Sequence, residues 1–119
     1  MSSLIRSFGY AFEGIWHAVR NNLNLRIDIF AALVVIILAI FFSVTPFEMS
    51  ILGLMILLVI ASEMINTAIE EMVDLIVTVH RREAKAAKDV AAGMVLVVAI
   101  GAAIAGILIF APYVLNLFK

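Results

Sequence analysis

Three uncharged runs, residues 29–47, 49–62 and 90–118, set what this chain can fold into. A bilayer core is about 30 Å thick and takes roughly 20 apolar residues as a helix. The first and third runs meet that length alone. The second meets it only if the segment that continues it, "SEMINTAIEEMVD" (62–74), lies inside as well. Only 14% of the 119 residues are charged and 66% are hydrophobic, against about 25% charged in an average soluble domain. Mean hydropathy is +1.20. The sequence therefore reads as an all-α membrane protein.

The formal net charge of −1 excludes the broad basic surface that nucleic acid needs. Without cysteine there is no disulfide framework and no thiolate metal site. Charge interrupts the first 26 residues throughout, unlike a secretory signal, so the N-terminal segment is expected to belong to the mature protein. Within it Leu4, Ile5, Phe8, Phe12, Ile15, Trp16 and Val19 recur at helical spacing, with Arg6, Glu13, His17 and Arg20 between them. This predicts an amphipathic helix over about 2–24, lying on the membrane surface with Tyr10 and Trp16 at headgroup level. Three transmembrane helices follow, over about 27–46, 48–78 and 88–117, in a single domain spanning 1–119. Pro46 and Glu48 break the first two, and "HRREAKAAKD" (80–89) separates the second from the third. Arg6, Arg20 and Arg26 precede the first span, and Arg81, Arg82, Lys85 and Lys88 follow the second. By the positive-inside rule both segments face the cytoplasm and the C-terminus lies outside.

At about 100° per residue, Glu63, Asn66, Glu70 and Asp74 fall near 0°, 300°, 340° and 20°, and Thr67 near 40°. Glu71 sits at the edge of this stripe, near 80°. One charged side chain at a bilayer centre costs at least about 2.5–3.5 kcal/mol, so such residues face a bundle interior or a wet cavity. Several together imply something that neutralises them: Lys88 and the basic segment, or a divalent cation. Carboxylates and an amide at this spacing suit Mg²⁺, which prefers oxygen and keeps water and phosphate oxygens in its shell. With Lys and Arg close by, the set suggests phosphoryl transfer. A plainer reading is open for Glu71 and Asp74: solvated at the end of the span and paired with Arg81 or Arg82. It fits Glu63 poorly, because Glu63 lies deeper in the apolar run. Arg81 and Arg82 also serve as topology signals, and the lone His17 and His80 have no partners for a metal site.

"EMINTAIEEMVD" (63–74), followed by "AKDVAAGMVLV" (87–97) and preceded by "RSFGYAFEGIW" (6–16), resembles the small bacterial integral-membrane lipid kinases. These are the prokaryotic diacylglycerol kinases and undecaprenol kinases, and the likeness runs over nearly the whole chain. It implies a surface helix plus three transmembrane helices assembled as a homotrimeric bundle, using ATP and Mg²⁺ to phosphorylate a lipid alcohol. By the same likeness Glu63 is the catalytic base, Asn66 holds the phosphate and metal region, and Glu70 binds metal. Lys88 and Asp89 contact ATP, and Tyr10 lies near the nucleotide. Glu63 and Arg26 are the expected lipid-substrate contacts. Asn22 stands where the family usually places a second metal-binding glutamate, beside ATP. An amide oxygen can ligate Mg²⁺, but more weakly than a carboxylate. Asp28 matches another acidic family position. Val79, His80 and Arg81 replace a tyrosine-histidine pair often found before the basic segment. "KDVAAGMVLV" and "EGIW" resemble the undecaprenol kinase branch more than the diacylglycerol branch.

The expected reaction is direct transfer of the ATP γ-phosphoryl group to a lipid hydroxyl, with Glu63 taking the proton and Lys88 offsetting charge. There is no Walker-type or kinase glycine loop to hold phosphates. Two rivals remain: an ion- or proton-translocating subunit using intramembrane carboxylates, and a non-catalytic assembly protein packing through "GMVLVVAIGAAIAG" (93–106).

Overall fold

The computed structural model describes residues 2–119, and these form four helices. They are α1 (Ser2–Asn21), α2 (Leu23–Phe41), α3 (Pro46–Ile76) and α4 (Arg82–Asn116). The last three are long and apolar enough to cross a membrane. A helix pairs its own backbone groups internally, which is what lipid demands of a spanning segment. At 1.5 Å per residue, the 31 residues of α3 reach about 46 Å and the 35 of α4 about 52 Å. Both outrun a bilayer core of about 30 Å, so their ends project beyond the apolar zone.

The helix ends follow local chemistry. α1 stops at Asn21 rather than near residue 24, because Asn22 leaves helical geometry (φ −121°, ψ 107°) and caps α2, its Oδ1 accepting from Leu25 N at 3.1 Å. Arg26 reaches back from α2 and donates to the carbonyls of Val19 (3.1 Å) and Arg20 (2.7 Å), satisfying acceptors left over at the end of α1. α2 ends at Phe41, and Ser43 takes the left-handed turn at φ 52°. Pro46 starts α3 instead of ending the preceding span. Thr45 Oγ1 accepts from Glu48 N (3.1 Å) while Thr45 N donates to Glu48 Oε1 (3.0 Å), a reciprocal capping box with proline in the first helical turn. Only residues 77–81 separate α3 from α4. Most of the expected 80–89 connection is therefore the first turns of α4, as its alanine, lysine and glutamate content favours.

α4 packs chiefly on α3, and α2 lies against α3 as well. A small core of Ala39, Leu52 and Ile109 sits near the α2–α3 turn, flanked by Val35, Val44, Met49 and Phe110. There the Phe42 ring makes tilted contacts with those of Phe110 and Tyr113, and the Tyr113 hydroxyl donates to Glu48. No more than 17% of the most apolar window of any span is buried by the chain itself. Most apolar residues of the spans thus stay at least partly accessible. The antiparallel run of α2, α3 and α4 puts the α1–α2 elbow, the acidic half of α3 and the 77–81 connection at one end, and the Thr45–Tyr113 cluster at the other.

Candidate functional site

The acidic half of α3 forms one face of the site. Ser62, Glu63, Asn66 and Thr67 are buried, Glu63 to 5% exposure. A carboxylate so enclosed needs donors to replace water, and the α1–α2 elbow supplies one. Asn22 Nδ2 donates to Glu63 Oε2 (3.0 Å) and to Thr67 Oγ1 (2.7 Å), while Thr67 Oγ1 donates to the Glu63 carbonyl one turn back (3.0 Å).

One turn further along, Asn66 Nδ2 donates to Glu70 Oε1 (3.3 Å), and Asn66 Oδ1 is buried with no hydrogen-bond partner. Buried carbonyl oxygens are rarely left alone in a folded protein, so this acceptor marks a place for a cation or a donor. Among the described residues no three His, Asp or Glu side chains converge tightly enough to hold a metal by themselves. The fit to a divalent ion rests instead on the Glu70 carboxylate and Asn66 Oδ1. It suits an ion that takes one or two protein oxygens and completes its shell with water and phosphate.

Two polar cavities meet at Asp74. One, of about 280 Å³, is lined by Asn21, Asn22, Thr67, Glu70, Glu71 and Asp74. The other, of about 310 Å³, is lined by Asp74, His80, Arg81, Lys85 and Lys88. Lys88 Nζ bonds Asp74 Oδ1 at 2.6 Å across the wall they share. An acidic chamber thus adjoins a basic one, an arrangement able to receive a polyanion with its counter-ion. A third cavity, apolar and about 520 Å³, runs between α2, α3 and α4, with Asp28 in its wall among Ala31, Val59, Ala103 and Phe110.

The residues singled out in the sequence divide into two groups. Glu63, Asn22, Asn66 and Glu70 come together, with Lys88 at the edge through Asp74. Tyr10 is 67% exposed on α1, Asp89 is paired with Lys85 at 2.7 Å on the surface of α4, and Arg26 is turned toward the end of α1. The partners of Glu71 and Asp74 are not Arg81 or Arg82. Glu71 Oε1 meets His17 Nε2 at 2.7 Å, and Asp74 meets Lys88. His17, which has no metal-site partner in the sequence, thus serves as the tether of α1. Only its place in the helical polar pattern hinted at a partner. Arg26 as a helix cap carried no sequence signal beyond its charge.

A sequence profile described as "Prokaryotic diacylglycerol kinase" matches residues 9–110. The chain is 40% identical to a protein named undecaprenol kinase from Bacillus subtilis (strain 168) over 112 residues, covering 94% of this chain and 91% of that one. It is 40% identical over 116 residues to a diacylglycerol kinase from Synechocystis sp. (strain ATCC 27184 / PCC 6803 / Kazusa), covering 97% of this chain and 66% of that one. A diacylglycerol kinase from Haemophilus influenzae (strain ATCC 51907 / DSM 11121 / KW20 / Rd) is 32% identical, over 92% of this chain and 95% of its own.

Proposed function

The chain belongs to the prokaryotic diacylglycerol kinase family, and from that premise we propose that this multi-pass bacterial membrane lipid kinase phosphorylates undecaprenol, with diacylglycerol as the alternative acceptor. Identity is 40% to an undecaprenol kinase and to a diacylglycerol kinase alike; the undecaprenol reading is supported by the former match covering both chains almost fully. The ion-translocating reading of the carboxylates is not favoured by this membership.

The observation that carries the chemical reading is the buried Glu63 carboxylate. Its Oε2 is held by Asn22, which together with Thr67 lines the acidic cavity that meets the basic one at Asp74. Its other oxygen, Oε1, is left to accept a proton. The lipid hydroxyl oxygen attacks the ATP γ-phosphorus in line, the bond from that phosphorus to the β–γ bridging oxygen breaks, and ADP leaves. The hydroxyl proton passes to Glu63. Mg²⁺, when bound, offsets charge on the phosphate oxygens. Glu70 and Asn66 Oδ1 are the groups that would hold it. Lys88 exchanges Asp74 for phosphate oxygens.

By family likeness, Asp89 contacts the nucleotide beside Lys88, Tyr10 walls it on the α1 side, and Arg26 faces the lipid headgroup. Residues 1–119 act as one kinase domain. The α1 end of the bundle and residues 80–89 face the cytoplasm, where ATP is, as the basic residues at that end favour. Accessible apolar surface and the small residues Gly93, Gly101, Ala105 and Gly106 on α4 support a homotrimer.

The test is transfer of label from [γ-³²P]ATP by purified protein in mixed micelles containing undecaprenol or diacylglycerol. Labelled undecaprenyl phosphate at higher kcat/KM than phosphatidate is the expected result. Preference for diacylglycerol transfers the protein to the other branch, and a fully active Glu63→Gln removes Glu63 as the base.

A further inference from the structure

We infer that Asn22 is a positioning residue for Glu63 and not a ligand of the divalent cation. This rests on the reading of Glu63 as the base, and it departs from what position 22 would do if it carried a carboxylate.

The hydrogen bonds permit one orientation of the Asn22 amide. Leu25 N can only donate, so the atom 3.1 Å from it is the carboxamide oxygen. Thr67 has committed its hydroxyl hydrogen to the Glu63 carbonyl at 3.0 Å, so it turns a lone pair toward Asn22. The Glu63 carboxylate can only accept. The two amide hydrogens of Nδ2 therefore meet Thr67 Oγ1 at 2.7 Å and Glu63 Oε2 at 3.0 Å. Turning the amide over would leave a backbone N–H facing an NH₂ group and set the amide oxygen against a carboxylate in a buried place. Each orphaned group would carry the full penalty of a buried polar group without a partner.

An asparagine binds a cation through its oxygen. Here that oxygen belongs to the backbone of α2, and what Asn22 shows the acidic stripe is N–H. A positive ion at this point would meet positively polarised hydrogens. A neutral donor also orients Glu63 without cancelling its charge, so Oε2 is held while Oε1 remains a proton acceptor. The hold is stiff because the elbow is fixed from both sides: Asn22 caps the start of α2, and Arg26 caps the end of α1. The surface helix and the base are thereby parts of one rigid joint.

Asn22→Asp and Asn22→Ser test this, since both residues cap helices about as well as asparagine and keep the elbow. Aspartate puts a carboxylate against Glu63 Oε2, and serine is too short to reach it. Kinetics are read as kcat, KM for ATP and the Mg²⁺ concentration giving half-maximal rate. Mn²⁺ affinity is read separately by electron paramagnetic resonance with a non-hydrolysable ATP analogue. Positioning predicts a fall in kcat of roughly 10- to 100-fold in both variants, with Mn²⁺ affinity and Mg²⁺ half-saturation within twofold of the parent. A several-fold tighter Mn²⁺ affinity in Asn22→Asp, or an unchanged kcat in Asn22→Ser, overturns the inference. The base assignment fails separately, through a Glu63→Gln variant that turns over at the parent rate.

Discussion

His17 Nε2 on α1 lies 2.7 Å from Glu71 Oε1 on α3, tying the surface helix to the span that carries the acidic stripe. His17 is itself held by Asn21, whose Nδ2 donates to the His17 carbonyl at 2.8 Å. Both side chains of the pair are about half exposed, 55% and 53%. Water screens such a contact, and it is worth under about 1 kcal/mol of stability. Its effect lies in where it holds α1, over the cavity that Glu71 lines. His17→Ala should leave thermal unfolding in detergent almost unchanged while raising amide exchange along α1. The exchanged pair, His17→Glu with Glu71→His, should return exchange to the parent level. If exchange on α1 does not respond to His17→Ala, the contact does not anchor the helix.

The ammonium of Lys88 is already occupied. Asp74 keeps it at 2.6 Å, on the boundary between the acidic and basic chambers. Lys88→Met removes the charge that would face the transferring phosphate, and kcat should fall by about 10²-fold. Asp74→Asn acts the other way on ground-state binding, since the lysine no longer has to leave a carboxylate. KM for ATP should fall a few-fold in that variant while kcat changes less. Equal kcat and KM in both variants would separate this pair from the reaction.

Glu63 and Glu70 lie two turns apart on one face yet should respond differently. Glu63→Gln keeps the shape and the contact to Asn22 but cannot take a proton, so kcat should drop by about 10²- to 10⁴-fold with Mg²⁺ dependence unaltered. Glu70→Gln leaves the Glu63 carboxylate intact and should raise the Mg²⁺ concentration for half-maximal rate. The rise should be at least the roughly tenfold cost of losing an outer partner of a metal site. Titration of Mg²⁺ in both variants checks the division. Identical Mg²⁺ shifts in both would mean that the two carboxylates serve one site.

What the sequence disclosed here is whatever repeats along one helix. The uncharged runs announced the spans because bilayer thickness fixes their length, and a count of 100° per residue placed Glu63, Asn66, Thr67 and Glu70 on one face before any contact was known. Contacts between distant residues left no such trace. His17 and Glu71 are 54 positions apart, and Asn22 and Glu63 are 41. Nothing local tells an asparagine that caps a helix from one that ligates an ion. The role of Asn22 depends on which side of its amide the α1–α2 elbow turns inward, a tertiary fact. The start of α4 at Arg82 was legible in principle from its helix formers. A run of charges there reads more readily as a connection than as a helix projecting from the membrane.

The end of the bundle away from Glu63 is held by a polar cluster of its own. Glu48 accepts from Thr45 N and from the Tyr113 hydroxyl, so one carboxylate closes the start of α3 and joins it to α4. Thr45→Ala removes the capping oxygen and should cost about 1 kcal/mol of stability. Tyr113→Phe keeps the ring against Phe42 and removes one donor, which should also lower stability. The double variant should lose less than the sum, because both side chains meet at Glu48. Since α2, α3 and α4 run the length of the bundle between this cluster and the acidic stripe, kcat should stay within twofold of the parent in folded protein. Thermal unfolding in detergent micelles and initial rates below the unfolding range check both parts. A large loss of kcat at unchanged stability would mean that the far end of α3 is coupled to the site through the helix itself.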